Sequence, residues 1–294
     1  MLARLDRCVA DILGATGYAP RPYHLVLLSD HGQSPGEPFA DAFGERLEDV
    51  VQRGCGRPVP RQIRHPETGA EARGTARAAL HRPEEPPVPE PAGAQGAGRR
   101  APVVLGSGNL GLVSFPEIQG RASRETLEGS YPQLLRTLTG HPGIGFVLVH
   151  SRVHGPVVLG PGGSEHRLRT GEVLGPDPLA PFGPYAAAVV RRTAGFRNVP
   201  DLMVNSAVDP ATGAVHAFED QIGSHGGLGG EQSRAFLLSP LALSEADAEG
   251  PLTGAESVHR MLRRWLREAA EEPRERDTPW ADGAASPAGP SPHA

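Results

Sequence analysis

Asp30 and His31, consecutive in "HLVLLSDHGQS", and His225, set among glycines in "GSHGGLGG", are of the side-chain types that hold divalent cations in catalytic centres. A carboxylate and an imidazole in succession can reach one cation if the backbone turns there, and Gly32 eases such a turn. The alternative is local: Ser29 and Asp30 cap a turn while His31 is a surface or hydrogen-bonded residue. His225 admits the same two readings, a ligand on a tightly built loop or an incidental histidine in a flexible glycine turn. "GSGN" is a weaker pocket loop, in which Asn109 could adopt a left-handed conformation or donate an amide hydrogen bond, beside Ser107. His24 reads as a structural histidine inside a strand, and the remaining histidines lack a ligand pattern.

Elements that could position these residues follow from hydrophobic spacing. Leu2, Leu5, Val9 and Ile12 predict an opening amphipathic helix, and Leu25 to Leu28 predict a short buried strand over residues 24–29 that ends at Asp30. Phe39, Phe43, Leu47, Val50 and Val51 place a helix over residues 38–52. "PVVLGSGNLGLVSF" reads as two strands broken at Gly106 to Asn109, and Leu127, Tyr131, Leu134, Leu135 and Leu138 as a helix stopped by "GHPG". "IGFVLVHS", "GPVVLG", "DLMVNS" and the shorter "AVHAFED" read as strands, "YAAAVVRRTAG" as a helix, and "RAFLLS" as an apolar run. Val258, Met261, Leu262, Trp265 and Leu266 give a terminal helix. Strands and helices alternate, and apolar runs are nearly continuous, which predicts an α/β layer architecture with a mostly parallel sheet flanked by helices. In such a sheet ligands gather beyond the strand C-termini, where Asp30 and His31 fall.

Composition narrows the classes. The 294 residues carry a formal net charge of −5 with no long basic stripe, so nothing marks a nucleic-acid or anionic-membrane partner. No window reaches the roughly 18–20 continuous apolar residues of a membrane span, and the N-terminus lacks a secretory pattern, so the expected location as written is cytoplasmic. Cys8 and Cys55 form no metal or redox spacing and are expected as buried free thiols. A Pro/Gly-rich insertion is expected at 82–102 and a disordered tail at 272–294, leaving 1–271 as the folded part. No GxGxxG in strand-to-helix order, no GxxxxGK[ST] loop and no HExxH is found, which removes the simplest nucleotide and zinc-protease assignments.

"HLVLLSDHGQS", "FGERLEDVV", "SGNLGLVSF", "YPQLLRTLTGHPGIGFVLVHS", "GEVLGPDPLAPFGP", "DLMVNS" and "FEDQIGSHGGLGGEQSRAFLL" follow one another in that order, within a similarity that extends over nearly all of residues 1–245. Together they resemble the C-terminal part of actinobacterial proteins of the alkaline phosphatase superfamily, of the type I phosphodiesterase/nucleotide pyrophosphatase kind. The resemblance implies a binuclear centre, commonly zinc, at which a Thr or Ser attacks phosphorus in a phosphoester substrate. Asp30 and His31 match the pair that holds the nucleophile-side metal, and His225 matches a ligand of the second metal. It further implies that the nucleophile, other ligands and N-terminal strands precede Met1, in a missing segment or a separate chain that could also anchor the protein to a membrane. The expectation is therefore a fragment of a metal-dependent phosphoester hydrolase, inactive alone and incompletely loaded with its two divalent cations. The alternatives are a non-catalytic interaction or ligand-binding domain that retains the fold, and a phosphomonoesterase or sulfatase-like hydrolase.

Overall fold

The computed structural model describes residues 2–60, 100–221, 223–248 and 250–271. Most of the expected insertion, residues 82–99, and the expected tail at 272–294 lie outside them. The chain divides into two compact units, one of residues 28–236 and one made from residues 1–27 and 237–294.

The larger unit is built on a seven-stranded sheet. Its members are β3 (Val103–Ser107), β4 (Leu110–Ser114), β5 (Ile144–Ser151), β6 (Gly155–Leu159), β7 (Glu165–Arg167), β8 (Glu172–Leu174) and β9 (Leu202–Ser206), in the order β3-β4-β9-β5-β6-β7-β8. Every pairing in it is antiparallel. This corrects the expected mostly parallel sheet, while the mixed α/β class holds. The topology follows from the connections: the turn at Gly108 and Asn109 folds β3 onto β4, and Arg152 to His154 fold β5 onto β6. Hairpin turns of that length can join only antiparallel neighbours.

Helices cover both faces of the sheet. Phe39 of α2 (Phe39–Phe43), Leu47, Val50 and Val51 of α3 (Leu47–Cys55), Leu127 of α4 (Arg124–Ser130) and Leu134 and Leu138 of α5 (Leu134–Thr139) are buried with Val104, Val113, Val147, Val149, Leu202 and Val204. On the other face, Ala186, Val190 and Ala194 of α6 (Ala186–Ala194) pack with Phe146, Leu148, Val158 and Met203. Successive strand residues therefore enter opposite cores, each large side chain contributing about 1.5–3 kcal/mol. That double coverage produced the unbroken apolar runs that read as parallel strands.

Several boundaries differ from expectation. The helix over 38–52 is two helices, because a second start is written by Asp49, whose carboxylate accepts the Arg46 N–H. The helix through Leu127 and Leu138 also divides, since Tyr131 precedes Pro132 and takes a non-helical φ of −140°. The "AVHAFED" strand reduces to a single bridge between Val208 and Val215, as Phe218 and His216 are held by loop contacts instead. The strand over 24–29 shrinks to β1 (Leu27–Leu28); Leu28 is 48% exposed and His24 is exposed, so neither a buried strand nor a structural histidine forms. Four aliphatic residues make a buried strand only where another layer covers them, and β1 is not a member of the seven-stranded sheet.

The smaller unit contains α1 (Leu2–Thr16) and α7 (Gly254–Glu271). Met261 and Trp265 of α7 are buried, and the Trp265 indole donates to the Ser244 carbonyl at 2.9 Å. Cys8 is exposed and Cys55 half-buried, so of the two expected buried thiols Cys8 lies on the exposed α1 helix, which has no buried residue. Among the described residues no helix is long and apolar enough to cross a membrane.

Candidate metal centre

The three segments singled out by their chemistry meet in the larger unit. β2 (Ser34–Pro35) pairs antiparallel with β10 (Gly223–Ser224), in the register Ser34↔Ser224. That pairing lays the "DHGQS" segment along the "GSHGG" segment. Buried Ser34 then fastens the far end of the glycine loop, its hydroxyl donating to the Gly229 carbonyl and accepting the Gln232 N–H, both at 3.0 Å. Gly32 is held at 2.9 Å by its N–H to the Gln232 carbonyl; a β-carbon there would lie 2.1 Å from the Glu231 carbonyl oxygen, so only glycine fits.

As a result the rings of His31 and His225, 194 positions apart in sequence, stack with centroids 3.9 Å apart and planes inclined by 16°. The His31 Nδ1–H donates to the Gly32 carbonyl at 2.6 Å, so Nε2 is the nitrogen left to take a ligand. Nε2 lies 3.6 Å from Asp30 Oδ1, and the same carboxylate oxygen accepts the His31 N–H at 3.0 Å. Two donors about 2.1 Å from one cation in near-tetrahedral geometry are separated by roughly this distance. Asp30 is 88% exposed, so its carboxylate is free to turn toward an incoming cation.

The third segment, "GSGN", supports His225 from below. Gly108 takes φ +55° in the β3–β4 turn, and a β-carbon on it would stand 1.8 Å from the His225 carbonyl oxygen. Its N–H donates to Glu219 Oε2 at 2.7 Å and its carbonyl accepts the Phe218 N–H at 2.8 Å. Asn109 is fully buried; it accepts the Gly227 N–H at 3.1 Å and donates to the Leu228 carbonyl at 2.9 Å. The amide hydrogen bond expected of it is formed.

Two contributors were not singled out in the sequence. Asn205 accepts the Leu228 N–H at 2.7 Å and donates to the Leu228 carbonyl at 3.0 Å. The available signal was an amide inside the apolar run "LMVNS", since a buried amide requires a partner. Glu219, in "FED", had no such signal, because its partner is a backbone N–H supplied by a distant turn.

No family model matches the chain, and neither the curated proteins nor the solved structures contain a match. Among the described residues, no group of three or more His, Cys, Asp or Glu side chains is placed to hold a metal ion. What the structure brings together is a pair, Asp30 with His31, and a third side chain, His225. Face-to-face imidazoles direct their in-plane lone pairs along nearly parallel planes, so they suit two neighbouring cations better than one shared ion.

Proposed function

We propose that Asp30, His31 and His225 are this chain's share of a two-metal phosphoester hydrolase centre of the phosphodiesterase/nucleotide pyrophosphatase kind. The observation that carries the reading is the stacked pair. It brings together two imidazoles from segments 194 positions apart in the sequence, with Asp30 beside the first. Asp30 and His31 would hold the nucleophile-side zinc, and His225 the other. When bound, such cations neutralise the attacking and leaving oxygens of an in-line displacement. The chain's own work is positional: Gly32 fixes the His31 ring through its carbonyl, and Gly108 and Asn109 hold the His225 loop. The relation to the alkaline phosphatase superfamily rests on the ordered motifs; the antiparallel sheet lends it no support. No nucleophile is assigned on this chain.

Zinc titration followed by imidazole NMR tests the assignment. Both His31 and His225 should respond, His31→Ala and His225→Ala should each abolish the response of the residue removed and weaken the other's, and Asp30→Asn should weaken that of His31. Zinc binding that leaves both rings unchanged rejects it. Protein that also carries a nucleophile-bearing segment should hydrolyse bis(4-nitrophenyl) phosphate only with metal present; equal turnover after chelation rejects the catalytic part.

A further inference from the structure

An apolar cavity of about 110 Å³ lies between α6 and the sheet, beside the loop that carries His225. Phe146, Leu148, Val190 and Met203 form its body, and the Gly226–Leu228 segment closes one side. Val189, 42% exposed, stands on its rim. The polar side chains in its wall are committed elsewhere. The Thr193 hydroxyl donates to the Val189 carbonyl at 3.1 Å, and the Asn205 amide donates to the Ser206 and Leu228 carbonyls at 2.9 and 3.0 Å. Its carbonyl oxygen accepts the Leu228 N–H at 2.7 Å. The donor hydrogens of these side chains are used elsewhere and the rest of the side-chain lining is apolar, so the space favours an apolar group.

We infer that this cavity is a subsite for a compact apolar group, phenyl-sized, on a ligand whose polar end lies at His225. Apolar cavities of about 150 Å³ accept benzene, and here a ring can enter past Val189 without complete enclosure. The span suits a small molecule, since Gly227 lies two residues from His225 and its Cα is therefore within about 8 Å of that of His225. Combined with the proposed metal centre, on which only the position of the polar end rests, the inference selects phosphoesters with a phenyl-sized apolar substituent. The glycines contribute backbone alone to the wall: a β-carbon on Gly227 would meet Asn109 Oδ1 at 2.5 Å and Asn205 Oδ1 at 2.6 Å.

The cavity is tested without metal by titrating fluorobenzene into protein labelled with ¹³C at the methionine methyls. Met203 lines the cavity, and Met261 of the smaller unit provides the internal control. Saturable shifts at Met203 are expected, weakened at least about tenfold by Val189→Trp, which covers the rim, and retained in Val189→Ala. Leu148→Phe, which fills the space from within, should weaken them similarly. Absence of a saturable shift, or shifts unchanged in Val189→Trp with native spectra, overturns the cavity assignment. With zinc present, phenylphosphonate should bind at least about tenfold more tightly than methylphosphonate, and Val189→Trp should erase the difference. Equal affinity overturns the link to the metal centre. Failure of zinc to perturb His31 and His225 counts against the proposed function, whereas the fluorobenzene result judges the cavity independently.

Discussion

Asn109 and Asn205 donate to the same acceptor, the Leu228 carbonyl, at 2.9 and 3.0 Å, and their side-chain oxygens accept the N–H groups of Gly227 and Leu228. Both are buried, Asn109 in the β3–β4 turn and Asn205 in β9, so the glycine loop that follows His225 is tied to the sheet through four hydrogen bonds. The loop is glycine-rich in sequence, yet its position is over-determined.

Removing one clamp should therefore be costly. Asn205→Ala leaves the Leu228 N–H without its side-chain acceptor, and leaving a buried polar group unsatisfied costs about 1–3 kcal/mol beyond the hydrogen bond itself. Urea unfolding should show a loss of about 2–4 kcal/mol. The Asn109→Ala, Asn205→Ala double variant should lose less than the sum, because both side chains serve one peptide segment. Strict additivity would show that the two amides act independently.

Gly108→Ala should move His225. The substitution places a β-carbon against the His225 carbonyl and strains a positive φ, with an expected cost of about 2–4 kcal/mol. Zinc affinity should fall at least about tenfold if His225 contributes a ligand. An alanine variant with unchanged stability and unchanged His225 resonances would contradict the contact.

His141 predicts a neutral-to-acid transition. Burial lowers its pKa from the usual histidine value, against the opposing pull of Glu45, and its Nδ1 accepts the Gly143 N–H while Nε2 faces Glu45 at 3.2 Å. Protonation would destroy the acceptor. Because the folded pKa lies below the unfolded one, the stabilising effect is present above the unfolded value near 6.5 and is lost as pH falls through the folded value. Chemical unfolding at pH 7 and at pH 5 should show the decline in the wild type and a smaller one in His141→Gln.

Glu125 acts at lower pH. Burial opposes its ionisation, but hydrogen bonds from the Ser151 hydroxyl and the Arg152 N–H outweigh it and bring its pKa down from 4.5 to about 2. Its contribution is complete above the unfolded value and disappears as pH falls from about 4.5 through about 2. Glu125→Gln should flatten that part of the stability profile. The β5–β6 turn is the affected region, since Ser151 also accepts the Val153 and His154 N–H groups at 3.1 Å.

Sequence alone determined what depends on near neighbours or on periodic burial. The strands β4, β5, β6 and β9 were legible because their side chains are covered on two faces, and α1, α6 and α7 because their apolar residues repeat at helical spacing. Asp30, His31 and His225 were legible as ligand types, and Asn109 as a loop residue with two open uses. Tertiary structure decided the rest. An apolar run records that a strand is covered, not the direction of its neighbour, so the antiparallel sheet came from its hairpins and from the long-range pairing of β9 with β4 and β5. The facing of His31 and His225 came from the Ser34↔Ser224 pairing and from carbonyl oxygens that leave no room for a β-carbon at Gly32 or Gly108. Such contacts join residues far apart in the chain through backbone atoms, which every residue possesses, and so residue identities alone could not announce them.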